Sequence, residues 1–155
     1  MAGMDGLGRL FNVVPVITAG PGIKLKDCSA VTFVITGATA VPTLTYATSF
    51  AGTYQVASFF TPALSPITRV YWSTGTTGTT AWNRANIVAA STFTLGTTAG
   101  LTTALAACFT VYGSQIPDPY NYVKCTVTGS GIGMAILHDL TVQRKPENLA
   151  IVSAV

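Results

Sequence analysis

The only histidine of this chain, His138, lies beside Asp139 in the stretch LHDLTVQRKPENLAI, which also holds Arg144, Lys145 and Glu147. An imidazole next to a carboxylate invites a general-base reading, with a Ser as nucleophile and the Asp holding the ring. The sequence does not complete that arrangement. No Gly-x-Ser-x-Gly elbow exposes a serine. Adjacent residues of a strand also point to opposite faces, so Asp139 is badly placed to orient His138. A structural or interface histidine is the expectation, and the chain is read as a non-enzyme.

Other residues capable of chemistry are equally dispersed. The carboxylates are Asp5, Asp27, Asp118, Asp139 and Glu147, far apart in sequence, with nothing to favour the paired acids of glycoside hydrolysis. Cys28, Cys108 and Cys125 are three widely spaced thiols without a CxxC, which with one His argues against zinc and for buried apolar thiols. GSGIG and TGTTGTTAW lack the Lys and helix of a phosphate loop, and Gly129 to Gly133 reads as a tight hairpin between strands. Trp72, Trp82, Tyr71, Tyr112, Tyr120 and Tyr122 have faces suited to stacking on sugar rings, but such residues more often pack in cores. No cofactor or metal site is expected.

The elements that carry these residues are strands. Short runs of Val, Ile, Thr, Phe and Tyr, closed by Gly, Pro, Ser or Asn, recur along the chain. Strands are expected at Leu10 to Thr18, Ala30 to Thr36, Thr43 to Thr48, Gln55 to Phe60, Ile67 to Ser73, Ile87 to Leu95, Ala104 to Tyr112, Tyr122 to Thr128 and Met134 to Gln143. In VTFVIT, Val31, Phe33 and Ile35 alternate with Thr32, Val34 and Thr36; YVKCTVT alternates likewise, with one face packed and the other wetter. Leu101 to Phe109 admits a short helix, but its Thr residues and the following TVYG favour a strand. The expected fold is all-β: a single-domain antiparallel β-sandwich, jelly-roll-like, with extended terminal arms. Residues 1–12 form an N-terminal arm, 13–144 the sandwich and 145–155 a C-terminal tail.

Composition narrows the setting. The 155 residues are enough for one sizeable core. Asp, Glu, Lys and Arg make up 8%, about a third of the usual ~25%. A neutral, Thr-rich and apolar surface suits burial against other subunits better than free diffusion. The net charge of +3 is scattered rather than clustered, which argues against nucleic-acid binding. Gly and Thr break every apolar stretch below the ~18–20 residues of a membrane span. MAGMDGLGRLFNVVPVITAGPG has no basic and apolar leader pattern, so synthesis and folding in the cytoplasm are expected.

Four spaced pieces, LKDCSAVTFVITGATAVPTLTY, RVYWSTGTTGTTAW, DPYNYVKCTVTG and HDLTVQRKPENL, together resemble the capsid decoration or cement proteins of tailed bacteriophages, especially phages of actinobacteria. The likeness runs from about Ile23 to Leu149 and leaves Met1 to Asn12 unmatched. It implies a minor capsid protein on the virion exterior, made in the host cytoplasm, with the major capsid protein and itself, commonly as a homotrimer, as partners. It implies no cofactor and no reaction, and composition gives no reason to expect a nucleic-acid or membrane partner.

The expected function is therefore a structural subunit that stabilises the capsid by bridging major capsid protein subunits. Alternatives are a carbohydrate- or host-surface-binding sandwich of a head or tail fibre, with a glycan as ligand, or a tail-tube or head-completion protein. Candidate interface residues are Arg9, Leu10 and Phe11 in the N-terminal arm and Arg144, Lys145, Glu147 and Asn148 after the last strand. For each the competing reading is a solvated terminus.

Overall fold

A computed structural model of the chain describes residues 11–16, 22–25, 28–56, 69–75, 80–85, 92–116 and 118–140. Two antiparallel sheets pack as a sandwich. Its strands are β1 (Phe11–Val16), β2 (Ile23–Lys24), β3 (Cys28–Thr36), β4 (Val41–Ala47), β5 (Gln55–Val56), β6 (Val70–Ser73), β7 (Asn83–Ala85), β8 (Ala106–Tyr112), β9 (Tyr122–Thr128) and β10 (Ile132–Leu140). One sheet has the order β1-β10-β3-β8-β6-β7 and the other β2-β9-β4-β5. The pairing is nested: β1 with β10, β2 with β9, and β3 with β8, while β10 also pairs β3 and β9 also pairs β4.

The alternation expected of VTFVIT and YVKCTVT sets the core. Val31, Phe33 and Ile35 of β3 and Ala107, Phe109 and Val111 of β8 are buried on the inner side of the large sheet. Leu44 and Tyr46 of β4, with Val123, Cys125 and Val127 of β9, meet them from the small sheet. Phe109 is the aromatic centre, 5.4 Å from Phe33 and 5.9 Å, edge to face, from Phe93. Cys28 and Cys125 are buried in this core and Cys108 is half-buried outside it, none of the three joined by a disulfide. Burial matches the expectation for Cys28 and Cys125; Cys108 departs from it because its β8 register turns it outward.

Several expectations change. Gly129 to Gly133 is no tight hairpin, because β9 and β10 belong to different sheets and the link Gly129–Gly131 carries the chain across the sandwich. A second crossing, Gly37–Ala40 between β3 and β4, lies against it, and Thr39 Oγ1 is 2.7 Å from Ser130 Oγ. Gly129 (φ +79°) is required there, since a Cβ would run into the carbonyl oxygen of Thr39. Of the strand expected at Ile87 to Leu95, residues 93–95 lie outside any strand and Thr92 makes an isolated bridge to Thr43. Phe93, Leu95, Leu101 and Ala104 instead plug the core from a segment of turns. Residues 87–91 lie outside the described residues. The two short strands β2 and β7 were not expected.

Candidate functional site

Of the expected interface residues, only Phe11 falls among the described residues. Arg9, Leu10, Arg144, Lys145, Glu147 and Asn148 lie outside them. Phe11 begins β1 opposite His138, at the end of a row that crosses four strands: Phe11, His138, Ala30 and Tyr112. Directly opposed residues of antiparallel strands share a face, so the register lays out the described side chains on the outward side of the large sheet. The next row is Val13, Ile136, Thr32 and Thr110. It is followed by Met134, Val34, Cys108, Tyr71 and Arg84, and then by Ile132, Thr36, Ala106 and Ser73.

These rows form an outward side that is mostly apolar, with Ala30, Ala106 and Ser73 in them buried, and Arg84 at its edge is their sole formal charge. Ile132 is 72% exposed and Met134 45%, with Phe11, Val13, Tyr71 and Tyr112 also exposed. The outward side of the small sheet is more polar. It presents Thr43, Thr45, Thr126, Thr128 and Lys124, whose Nζ sits 5.2 Å over the ring of Tyr54, with Val41 and the exposed Val56 beside them. Thr-rich rows can satisfy themselves in water, whereas contiguous exposed Ile, Met, Val and aromatic side chains mark a contact surface.

The polar groups of the large face bond to one another. His138 Nε2 is 2.8 Å from Thr32 Oγ1, which is 2.8 Å from Thr110 Oγ1, forming a line across β10, β3 and β8. Asp139 takes no part in it. Its Oδ2 accepts a hydrogen bond from Ser29 Oγ at 2.7 Å. The His–Asp pairing of a triad is thus not made, although both residues lie on the outward side of the sheet. Thr32 sits on β3, which is laddered on both sides by β10 and β8, so its backbone is committed to the sheet rather than to stabilising an oxyanion. Cys108 lies in the third row, and desolvation raises its thiol pKa, which suits a packing residue rather than a nucleophile.

Asp139 has a second role. Its backbone is left-handed (φ 51°), the one non-glycine with positive φ among the described residues. Counting by twos from Leu137 and Val31 would turn Leu140 and Cys28 outward, yet both pack with the core, and Ser29 and Asp139 are exposed instead. The two strands change phase together at the Ser29–Asp139 pair, which closes the large face at that end.

The aromatic residues do not converge on one ligand site. Trp72 and Tyr120 pack against the core, and Tyr120 lies 6.2 Å from Tyr46. Tyr122 meets Phe50 at 6.4 Å on the small sheet, Tyr71 and Tyr112 belong to the large face, and Trp82 is exposed just before β7. Among the described residues no group of three or more His, Cys, Asp or Glu is placed to hold a metal ion. No described helix is long and apolar enough to cross a membrane.

Sequence reasoning missed the large face because it assigned the second set of alternating residues to water. One signal was present. In IGMAIL, Ile132, Met134 and Ile136 are as apolar as their inward neighbours Gly133, Ala135 and Leu137, a pattern expected of a strand covered on both sides. In comparisons with known proteins, no family model, no curated protein and no solved structure matches this chain.

Proposed function

We propose that this chain is a structural virion protein of a tailed bacteriophage, which decorates the outside of the capsid and stabilises it by bridging major capsid protein subunits. The observation that carries the reading is the outward face of the large sheet, apolar over several strands in a chain with 8% charged residues. A surface of this kind fits a subunit that works inside an assembly. The nested strand pairing adds support by analogy. Among the described strands, β1 pairs with β10 and β2 with β9, an arrangement compatible with the expected jelly-roll-like sandwich, an architecture found in viral capsid proteins as well as in lectins. The resemblance of the four spaced sequence pieces to decoration proteins selects the virion among these settings.

The physical action is simple. A shell holding packaged DNA is pushed outward, and a protein bound across a joint must lose its buried contacts before that joint opens. Binding to the closed shell therefore stabilises the closed shell. The test is co-sedimentation of the purified full chain with assembled capsids, followed by localisation on the particle. The expected result is saturable binding on the exterior, in proportion to the number of shell subunits. Binding in a single ring at one vertex would instead indicate a connector or head-completion protein. Specific glycan binding lost on Trp82→Ala, without affinity for capsids, would replace the reading with a fibre sandwich.

A further inference from the structure

We infer that the outward face of the six-stranded sheet is the surface on which two copies of this chain pack, sheet against sheet. The inference rests on the assembly reading above for its setting on a lattice, and it adds which face is used, by which partner and with which symmetry.

Charge chooses the partner. From Phe11 to Tyr71 the rows carry no formal charge, so a matching surface must also be uncharged. A second copy supplies that surface with identical shape, whereas the Lys124 and threonine side of the small sheet does not. Burial also leaves the central polar groups paired. His138, Thr32 and Thr110 already bond to each other within one copy, which limits the desolvation cost of covering them.

Area sets the strength. Four strands, β1, β10, β3 and β8, at ~4.8 Å spacing and about seven residues at ~3.4 Å each give a face of roughly 450 Å² per copy. A pair then buries roughly 900 Å², in the range of a weak, transient interface. Association is accordingly weak in free solution and is reinforced where a lattice holds many copies close together. Face-to-face packing of one surface on itself is two-fold, so the unit is a dimer. This departs from the homotrimer implied by the resemblance.

The experiment measures the mass of the full chain by sedimentation equilibrium over a wide concentration range. Wild type is expected to pass from monomer to dimer. Met134→Glu and Ile132→Lys, at exposed positions of the face, stay monomeric with unchanged circular dichroism and melting. Thr126→Glu, on the other sheet, dimerises like wild type. Cys108, in the third row, reports the same event, because Cys28 and Cys125 are each only 1% exposed. Maleimide labelling of Cys108 slows as wild type is concentrated, but not in Met134→Glu. A wild type that is monomeric or trimeric at every concentration, or unaffected by both substitutions, overturns the inference. So does faster Cys108 labelling of a monomeric wild type once residues 141–155 are removed, since the face would then be covered by its own chain. Dimerisation without any capsid binding would remove the virion reading alone.

Discussion

At Asp139 two demands meet in one side chain. The left-handed backbone costs most residues roughly 1 kcal/mol, and Asp and Asn tolerate it best after Gly. The carboxylate also accepts the Ser29 hydrogen bond that ties β10 to β3 where both strands change phase. Asp139→Ala is therefore expected to lose about 1–2 kcal/mol in urea unfolding, from the lost bond and the poorer backbone together. Asp139→Asn should remain close to wild type, and equal stability of the Ala and Asn variants would refute this account. Cys125 makes a different prediction. Burial pushes its thiol pKa well above the usual range. Above pH ~8.5 the unfolded chain releases a proton that the folded chain retains, so stability falls as pH rises. The slope for this one thiol is at most about 1.4 kcal/mol per pH unit. Unfolding between pH 7 and 9.5 should show a shallower decline for Cys125→Ala than for wild type.

Among the elements, the paired crossings Gly37–Ala40 and Gly129–Gly131 decide whether this is a sandwich or a series of hairpins. Gly129→Ala meets both a positive φ and the Thr39 carbonyl, and a loss of about 2 kcal/mol or more is expected in denaturant titration. Truncating the aromatic centre, Phe109→Ala, should cost about 3–5 kcal/mol. Most strands were legible in the sequence because period-two alternation directly records a buried face, as in Val31, Phe33 and Ile35. The sheet to which each strand belongs was not legible. Gly129 signals a left-handed turn equally well for a hairpin and for a crossing, and only long-range pairing distinguishes them. The short strands β2 and β7 carry too few residues to show a period. The large outward face escaped for a related reason: alternation between apolar and apolar, as in Ile132 to Leu137, looks like no alternation at all. At His138 the expectation that neighbouring strand residues point apart did not anticipate the left-handed backbone at Asp139, which leaves both residues on the outward side, where each has its own partner.

The molecule as a whole is defined by its shortage of charge. Self-association through an uncharged face has little Coulomb energy to screen, so raising NaCl from low to moderate ionic strength should leave the dimerisation constant nearly unchanged. Sulfate salts, which favour burial of apolar surface, should strengthen it. A marked weakening by NaCl in the sedimentation series would point to ion pairs in the contact instead. The nested pairing has a consequence in time as well. Phe11 finds its partner only at His138, and β3 is flanked by β8 and β10, both from the later part of the chain. A ribosome must therefore release nearly all of the described chain before the large sheet can close, and non-local pairings of this kind form slowly. Until then the sticky face does not exist as a surface. Nascent chains crowded on one messenger cannot dock through it prematurely, so the topology delays assembly until synthesis has passed β10.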